Sequence, residues 1–406
     1  MTVGHTDLGL ALFHDEFLQD PHPLYARMHA EAPVHRVGDS DFYAVCGWDA
    51  ITEAVARPGD FSSNLTGAMR YQADGTVSLL PLDTLGSPTQ ALATADDPAH
   101  AAHRKLLVPY LAAKRVRALE TFAENTMHAL WQQMPAGAPV EWMAVVADRL
   151  PMTVVCKLIG VPAEDVDRIA AWAYASTQIL EGRVDEHTLT AAGTAALELA
   201  GYISDKLGRA SLDPGDNLLG CIATACAAGE LNNLTAQVML VTLFSAGGES
   251  TAALIGSATQ IIATRPDVQR RLRADPGLIP AFLEEVLRFE PPFRGHYRHV
   301  VRDCALAGKE LTAGSRLLLL WGAANRDPAR FDAPNEFQIE RPNSKAHIAF
   351  GKGAHFCIGA ALARFEARIV IDLLLRHTSW VDAAGPGWWL PSLLVRRLDE
   401  LPLTMT

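Results

Sequence analysis

The sequence has 406 residues, of which 46 are acidic and 35 are basic, so the formal net charge at pH 7 is −11. An acidic chain is repelled by the phosphates of nucleic acids, and we therefore expect no nucleic-acid partner. Hydrophobic residues make up 49% of the chain and charged residues 20%, which is typical of a globular protein with a large buried core.

The first 20 residues carry four acidic side chains and lack the basic start and apolar run of a secretory signal. The longest uncharged stretch, residues 231–248, contains Asn232, Thr235 and Gln237, so it is predicted to be a buried core helix rather than a membrane span. We expect a monomeric, cytoplasmic protein without a membrane anchor.

The N-terminal part of the chain is predicted to contain two helices and two strands. A short helix begins near Asp20, and residues 34–37 and 42–45 resemble paired strands around a polar turn. A second helix spans residues 48–56. Residues 66–88 show no clean periodicity and many turn residues, so we predict a long functional loop there.

A third helix is predicted to begin after Asp96, and it places His100 and Arg104 four residues apart on one face. An exposed, solvated pair is the simplest interpretation of these two side chains. A further run of basic residues follows, and such a run usually forms a solvated face. Its members are Lys105, Lys114, Arg115 and Arg117.

The middle of the chain is predicted to be helical. Residues 116–206 read as several antiparallel helices separated by Pro135, Pro151 and Pro162. This region shows no pattern of a catalytic site.

The longest helical pattern covers residues 234–264 and has Gly247 and Gly248 in its interior. Each glycine in a helix interior costs about 1 kcal/mol relative to alanine. We therefore expect either a break in the helix or the close approach of another segment at this point.

The C-terminal third contains three weaker patterns. Glu285 and Arg288 lie three apart on a predicted helix over residues 282–289, where a surface ion pair would contribute little. Residues 316–320 are predicted to form a strand. Residues 388–395 are apolar and turn-like, and they are predicted to form a pocket wall.

Cys357 is one of six scattered cysteines with no Cys-x-x-Cys pair, a pattern that argues against a disulfide framework and a zinc site. It lies between a glycine-rich loop and an amphipathic helix. The free N–H groups and positive dipole at a helix start favour a thiolate. A single thiolate without other ligands at zinc spacing indicates haem iron. The simpler interpretation is a buried structural cysteine.

The stretch around Cys357 resembles the haem-binding loop of the cytochrome P450 superfamily, Phe-Gly-x-Gly-x-His-x-Cys-x-Gly. Every fixed position is filled, by Phe350, Gly351, Gly353, His355, Cys357 and Gly359. The resemblance covers nearly the whole chain. It implies a mainly α fold with a small β-rich lobe, a prism of helices around a buried haem b whose iron Cys357 ligates. It also implies one domain over residues 1–406, with the β-rich lobe drawn from residues 30–60, 290–345 and 378–406.

The same resemblance assigns cofactor contacts, since imidazole and guanidinium groups can donate hydrogen bonds to carboxylates. His100 and Arg104 match residues that hold one haem propionate, Arg298 matches the arginine of the second, and His355 is expected to join them. The set that locks the cysteine loop is matched by Glu285, Arg288 and Arg341, which are read as structural.

Residues 246–251, Ala-Gly-Gly-Glu-Ser-Thr, resemble the superfamily's oxygen-binding segment, Ala-Gly-x-(Asp/Glu)-Thr. The resemblance places Ala246 against the haem and assigns proton delivery to Glu249 and Ser250. Ser250 stands where the family usually has threonine, and Thr251 supplies a second hydroxyl. The predicted substrate pocket consists of Ala246, Gly247, Phe293, His296, Leu393 and Leu394.

These matches imply a bacterial monooxygenase that inserts one oxygen atom from O2 into a hydrophobic small molecule. The chain has no flavin domain or iron–sulfur pattern, so its electrons would come from a separate ferredoxin and an NAD(P)H-dependent ferredoxin reductase. The basic run, with Lys352 or Arg364, is predicted to face the ferredoxin. The alternatives are a peroxide-driven peroxygenase, an oxidative coupling enzyme, and a non-catalytic haem protein that binds ligands.

Two further resemblances concern the lid and the subfamily. Residues 170–183 and 188–207 resemble the pair of helices that form a mobile lid over the pocket. The stretches DFYAVCGWDA, DFSSN and EPPFRGHYRH resemble a mycobacterial subfamily whose substrate is unassigned.

Overall fold

The computed structural model describes residues 7–82, 89–135 and 137–406. Within them the protein is mainly helical, and its short strands gather into small sheets. The α-helices are α1 (Asp15–Gln19), α2 (His22–Glu31), α3 (Trp48–Ala56), α4 (Ala99–Leu107), α5 (Ala113–Arg117), α6 (Glu120–Gln132), α7 (Arg149–Ile159), α8 (Val166–Thr177), α9 (Glu186–Leu212), α10 (Leu218–Ala227), α11 (Asn233–Thr264), α12 (Pro266–Ala274), α13 (Ile279–Phe289), α14 (Trp321–Ala324) and α15 (Ala360–His377). The β-strands are β1 (Val34–Arg36), β2 (Phe42–Val45), β3 (Phe61–Ser62), β4 (Gly67–Tyr71), β5 (Val77–Pro81), β6 (Val140–Glu141), β7 (His296–Val300), β8 (Cys304–Leu306), β9 (Lys309–Leu311), β10 (Arg316–Leu319), β11 (Val381–Ala383), β12 (Trp388–Trp389), β13 (Leu398–Glu400) and β14 (Pro402–Met405).

The largest sheet has five strands in the order β1-β2-β10-β7-β3. β1 and β2 form the predicted antiparallel pair, with Val34 opposite Val45. β10 lies parallel to β2 and antiparallel to β7, so strands from the two ends of the chain share one sheet. The three-stranded sheet β11-β14-β6 ties the C-terminus to the helical part of the protein.

Helix α11 runs through the helical part of the protein and packs against α7, α8 and α15. By length and composition it could cross a membrane, but 61% of its most apolar window is buried inside the protein. The prediction of a core helix here is confirmed. The helix is capped by Asn232, whose side-chain oxygen accepts a hydrogen bond from the Thr235 N–H at 2.8 Å.

Gly247 and Gly248 mark a close helix crossing rather than a break, because α11 continues through both residues. A Cβ atom at Gly247 would lie 2.8 Å from a methyl carbon of Val155 on α7. A Cβ atom at Gly248 would lie 2.5 Å from the terminal methyl of Met152. Any larger residue would therefore push the two helices apart.

The mainly α fold with a small β-rich part is confirmed, and most predicted elements are present. α3 and β2 have the predicted bounds, and α11 begins one residue before its predicted start. Two helices also occupy the region predicted as lid helices, at Val166–Thr177 and Glu186–Leu212.

The prediction of a long loop over residues 66–88 is wrong for most of its length. Strands β4 and β5 pair there as an antiparallel hairpin, while residues 83–88 lie outside the described part of the chain. The Tyr71 N–H donates to the Gly182 carbonyl at 2.8 Å, and the Tyr71 ring stacks on Phe13 with centroids 4.8 Å apart. The hairpin therefore closes against the turn between α8 and α9, a long-range contact that local sequence periodicity does not encode.

Two helix boundaries also differ from the predictions. Pro151 does not separate two helices but lies in the first turn of α7, where a missing N–H breaks no hydrogen bond. The helix after Cys357 begins at Ala360 rather than at the cysteine. The reason is a tight loop in which the Cys357 N–H returns to the Phe350 carbonyl at 2.9 Å.

Glu285 on α13 is the centre of a buried ion-pair set and has no exposed side-chain surface. Its carboxylate accepts hydrogen bonds from Arg288 at 2.7 and 2.8 Å and from Arg341 at 3.0 Å. The backbone N–H of Gln338 donates to the same carboxylate at 3.0 Å. Burial at this depth requires such a complete set of partners, because charges without them destabilise the folded state.

The two arginines also order the irregular segment that leads to the cysteine loop. Arg288 donates to the carbonyls of Asn325, Pro334 and Glu336. Arg341 donates to the carbonyls of Asp332, Ala333 and Glu336. Residues 325–341 lack regular strands and helices, so these guanidinium groups supply donors that a helix or sheet would otherwise provide.

Replacing Arg288 by methionine should leave the Glu285 carboxylate buried without two of its donors. We expect the free energy of unfolding of the holoprotein to fall by about 3–5 kcal/mol, the cost of breaking a buried pair. Urea denaturation followed by circular dichroism measures the change.

Arg271→Met is the matched control, because Arg271 pairs with Glu340 at the surface of the same region. Exposed pairs contribute less than about 1 kcal/mol. A loss for Arg288→Met that is no larger than the control's would contradict the role given to the buried set.

Candidate functional site

A largely apolar cavity of about 230 Å³ lies between α11 and the loop that carries Cys357. Residues of α4 and α7 close two of its sides, and the segment 292–298 forms another. The cavity therefore brings together residues that are distant in the sequence, since His100 and Cys357 both line it.

The cysteine loop is built by two glycines in the left-handed region, Gly351 at φ +69° and Gly353 at φ +71°. Residues with a Cβ rarely adopt this backbone, which explains the glycines at these positions. A further anchor comes from α4, where the Arg104 guanidinium donates to the Phe356 carbonyl at 2.9 Å. The loop therefore holds the Cys357 sulfur at the cavity wall.

Opposing effects act on the Cys357 thiol. Burial raises its pKa, while the backbone N–H of Gly359 and the guanidinium groups of Arg104 and Arg364 lower it. Burial dominates in the protein alone. The surrounding donors nevertheless favour a thiolate once a cation balances the charge.

Four basic side chains line the cavity beside the cysteine loop, namely His100, Arg104, Arg298 and His355. The His100 and His355 rings stack with centroids 3.9 Å apart, and His355 Nε2 lies 3.0 Å from the Ser63 hydroxyl. Burial and the charges of His100 and Arg298 lower the pKa of His355 to about 4, so it is neutral at pH 7. The structure thus gathers all four predicted propionate contacts at one end of the cavity.

Arg298 is buried and has no carboxylate within 4 Å among the residues that the structure describes. Its guanidinium donates to the carbonyl of the neighbouring Tyr297 at 2.8 Å. Burial lowers its pKa to about 10, with only Asp96 opposing the shift. A buried cation without a counter-ion indicates an anionic group in the cavity beside it.

Helix α11 forms the wall on the other side of the cavity through Ala246, Gly247, Ser250 and Thr251. The Ser250 hydroxyl donates to the Ala246 carbonyl one turn earlier at 2.6 Å. A hydroxyl that donates in this way keeps its lone pairs free to accept another hydrogen bond. Both predicted hydroxyls therefore reach the cavity.

Glu249 does not share this wall, contrary to the prediction that it lies on the same helix face as Ala246 and Gly247. Its side chain is 3% exposed and points towards α8, where Thr177 donates to it at 3.0 Å. Burial raises its pKa to about 7, against the effects of the Arg397 guanidinium and the Thr177 hydroxyl. The acid is one residue before Ser250, so helix geometry turns it by about 100° away from that hydroxyl.

Four of the six predicted pocket residues line the cavity: Ala246, Gly247, Phe293 and His296. Leu393 and Leu394 do not; both are buried in the core, Leu393 beside Gly182 and Leu394 beside Ala253. The prediction took an apolar C-terminal segment for a pocket wall, whereas its leucines pack beneath that wall.

Comparison with known proteins identifies the family. A sequence model of the Cytochrome P450 family matches residues 277–385. The chain is 60% identical to Cytochrome P450 144 from Mycobacterium tuberculosis over 393 residues, which cover 97% of this chain and 91% of that protein.

The chain belongs to the cytochrome P450 family.

Other P450s agree with this assignment. Vitamin D(3) 25-hydroxylase from Pseudonocardia autotrophica is 32% identical over 405 residues, covering 97% of this chain and 96% of that protein. The solved structure of cytochrome P450 CREJ in complex with (4-ethylphenyl) dihydrogen phosphate superposes with a TM-score of 0.88 at 25% identity, covering 95% of this chain and 97% of that one. The predicted P450 fold and monooxygenase class are confirmed, as is the mycobacterial resemblance.

P450s carry a cysteine-ligated haem, and the lining of this cavity fits one. The lining combines Cys357 with the small residues Ala246 and Gly247 of α11, which leave room for a flat group. The unpaired Arg298 and its basic neighbours can accept the carboxylates of a porphyrin. Gly359 adds to the fit, since even an added Cβ would stay 3.9 Å from the Cys357 sulfur.

Several lining residues escaped the sequence analysis. Thr242 lies one helical turn before Ala246, so helical spacing along α11 could have identified it. Leu92 and Trp321 lie in segments without a periodic signal. Trp321 donates its indole N–H to His296 Nδ1 at 2.6 Å, which places the proton of the neutral imidazole on Nε2.

Glu366 on α15 is a buried carboxyl group that the sequence analysis missed, because it lies on an ordinary helical pattern. Neither of its oxygens has a hydrogen-bond partner among the described residues. Burial raises its pKa well above the usual range, which favours the protonated form.

The basic run predicted to meet a ferredoxin is only partly free of ion pairs. Arg115 pairs with Asp216 at 3.0 Å, and Arg364 pairs with the buried Glu284 at 3.0 Å. Burial alone would raise the pKa of Glu284, but His347 and Arg364 lower it to about 2, so the Arg364 charge is permanently balanced. No carboxylate lies within 4 Å of the other exposed cations of the run in the described ranges. They are Lys105, Lys114 and Arg117.

Removing Arg104 and Arg298 together should weaken haem retention, because hydrogen bonds to charged groups contribute about 1.5–3 kcal/mol each. We expect Arg104→Ala, Arg298→Ala to lose haem to an excess of apomyoglobin at least about tenfold faster than the unchanged protein. Absorbance at the Soret band follows the transfer.

Arg302→Ala serves as the control, since Arg302 is exposed and pairs with Asp60 outside the cavity. Equal rates of haem loss for the double variant and this control would show that neither arginine holds the haem.

Proposed function

We propose that this P450 inserts one oxygen atom from O2 into a hydrophobic small molecule, with electrons from a separate ferredoxin and its NAD(P)H-dependent reductase. The observation that carries the proposal is that Cys357, Ser250 and Thr251 line the same largely apolar cavity. The sulfur suits a haem ligand, and the hydroxyls suit proton transfer.

When bound, the haem b supplies the redox-active iron at which dioxygen is reduced and one oxygen atom passes to the substrate. Cys357 is the residue that would hold the iron. Its loop keeps the sulfur in place through the Cys357 N–H bond to Phe350, and the N–H of Gly359 stabilises negative charge on it.

The haem carboxylates fit the basic end of the cavity. Arg298 and Arg104 would each donate charge-assisted hydrogen bonds to one carboxylate, and His100 would join Arg104 from one helical turn away. The neutral His355 can donate through one ring nitrogen while the other contacts Ser63. Phe350, Gly351 and Ala246 would contact the ring faces.

Protons reach the cavity through α11 in this proposal. The Ser250 hydroxyl donates to the Ala246 carbonyl and can accept a proton from water, so it can pass one on by rotating. Glu249 is the acid that would supply this path, and Thr251 is the alternative hydroxyl.

The substrate is proposed to be hydrophobic because the cavity surface is mainly apolar, with Leu243 and Phe293 among its larger side chains. The relative Vitamin D(3) 25-hydroxylase supports this choice, since its name gives vitamin D(3) as its substrate. His296 would present an N–H to a polar atom of such a molecule.

The electron donor is proposed to dock on the face that carries the unpaired cations Lys105, Lys114 and Arg117. An acidic ferredoxin would be attracted to this face although the chain as a whole is acidic. We also propose that the protein is cytoplasmic and monomeric.

A peroxide-driven peroxygenase is the second candidate. It is favoured by one observation, that Glu249 lies outside the cavity and donates no hydrogen bond to Ser250. An enzyme that does not use this acid to deliver protons would take hydrogen peroxide in place of O2 and electrons.

Oxygen uptake separates these functions. With a spinach-type ferredoxin, its reductase and NADPH, a hydrophobic compound that shifts the Soret band on binding should be oxidised with consumption of O2. With hydrogen peroxide alone, turnover should be at least about tenfold slower. Faster turnover on peroxide would favour the peroxygenase, and absence of turnover under both conditions would favour a haem protein that only binds ligands.

Ser250 should control the fraction of NADPH electrons that is used to form product. Serine lacks the methyl group of threonine, so its hydroxyl is less firmly aimed. We expect Ser250→Thr to raise the product formed per NADPH, and Ser250→Ala to lower it and to increase release of hydrogen peroxide. Each effect should reach about two- to tenfold, which is less than the roughly 10²–10⁴-fold of a lost general acid because Thr251 supplies a second hydroxyl.

Thr251→Ala is the matched control, because this neighbouring hydroxyl also lines the cavity. Uncoupling by Thr251→Ala but not by Ser250→Ala would assign the relay to Thr251.

A further inference from the structure

Arg397 joins Glu249 to a cluster of buried charges outside the cavity. The residue lies just before β13, in a different part of the fold from α11. Its Nη1 donates to Asp148 at 2.6 Å, and its Nε lies 3.9 Å from Glu249 Oε1. The guanidinium carbon lies 5.2 Å from the centre of the Tyr174 ring.

The three charged groups form a row from the surface inwards. The side chain of Asp148 is 25% exposed, that of Arg397 10% and that of Glu249 3%. The inner end of this row adjoins Ser250 in the sequence of α11. The row therefore connects the solvent with the helix wall of the cavity.

Arg397 is the only cation within 4 Å of the Glu249 carboxylate in the ranges that the structure describes. Its Nε is buried and donates to no acceptor there. At 3.9 Å the pair attracts but does not form a hydrogen bond. A small movement of either side chain would let this unused donor reach the carboxylate.

We propose that Arg397 is a positioning residue for Glu249, one that holds the carboxylate beside α11 so that it regains a proton from the Asp148 side after each proton it gives up. The proposal rests on the function proposed above for Glu249. In each cycle one proton leaves Glu249 towards the hydroxyls of α11, and one proton from water replaces it.

The reason lies in the opposing demands on a buried acid. Without a nearby cation, the carboxyl group would stay protonated after burial and could not release its proton. With a full ion pair, it would stay ionised and would carry no proton. An incomplete pair with Arg397 keeps both states accessible, in agreement with a pKa for Glu249 of about 7.

Other groups also surround Glu249, and they come from the elements that pack around it. They are Asp148 before α7, Tyr174 and Thr177 on α8, Glu181 in the turn after α8, and Glu366 on α15. Glu181 and Asp148 raise the pKa of Glu249, and Thr177 lowers it through one hydrogen bond. Arg397 alone supplies an opposite charge.

The test titrates Glu249 in the resting holoprotein and needs no turnover. Infrared difference spectra between pH values report the carboxylic acid band, and Glu249→Gln identifies it by its loss. Removing the opposite charge in Arg397→Met should raise the midpoint of this band by about 1–3 pH units. Arg397→Lys keeps the positive charge, so its midpoint should stay close to that of the unchanged protein.

For a second variant, we expect the midpoint of the carboxylic acid band to shift in the opposite direction. Asp148→Asn removes the acid that competes for Arg397, so the guanidinium can turn to Glu249 and the midpoint should fall. General loosening of the structure would not give shifts of opposite sign. This variant also keeps the proposal open to refutation if Arg397→Met does not fold, because a midpoint that rises or stays unchanged in Asp148→Asn would overturn it.

Measurements during turnover supply a test that is independent of the infrared titration. Arg397→Met should increase peroxide release per NADPH in the unchanged background, and it should add nothing in the Glu249→Gln background. An added effect in that background would show that Arg397 acts elsewhere. Failure of all turnover would count against the proposed function alone, because the infrared titration would still decide the role of Arg397.

Discussion

The position of Cys357 depends on one carboxylate that never meets solvent. Glu285 binds Arg288 and Arg341, and those two arginines hold the carbonyls of the irregular segment that follows β10. That segment cannot satisfy its own backbone groups, so it keeps its path only while the guanidinium groups are in place. Its continuation is anchored by Asn325, whose side-chain oxygen accepts the Ile348 N–H at 2.8 Å, nine residues before the cysteine. Cys357 is therefore positioned partly by contacts made outside the cavity.

The cavity is divided by charge. Small, apolar and hydroxyl residues of α11 form one wall, whereas Arg298, Arg104 and two histidines gather near the cysteine loop. Such a division suits a flat molecule that is apolar over its faces and anionic at one edge. The same division leaves the space above the centre of that molecule apolar, which explains how one cavity can serve both a porphyrin and a hydrophobic substrate.

Local patterns predicted much of this protein. The glycines, histidine and cysteine of the loop are close in sequence, so a motif of ten residues was sufficient to identify a cysteine that lines the cavity. Helix α3 and the pair of β1 and β2 followed from periodicity and turn residues. Side-chain direction was harder to predict: Glu249 and Ser250 are neighbours, yet one faces α8 and the other the cavity. The hairpin over residues 67–81 and the contacts of Arg397 depend on segments that are distant in the sequence, and no single-sequence pattern encodes them.

The contact between the hairpin and the turn after α8 would limit how quickly a ligand arrives by a route between these two segments. One backbone hydrogen bond, from Tyr71 to Gly182, and one ring stack, between Tyr71 and Phe13, hold these surface segments together. A molecule that enters between them must wait until both contacts open, so its association rate would follow the opening rate of the protein rather than diffusion. Bulky and slender ligands would then differ in how often an opening is wide enough for them, even if the cavity binds both equally well. Selectivity in this P450 would be partly a matter of timing, decided at the entrance before any atom reaches the haem.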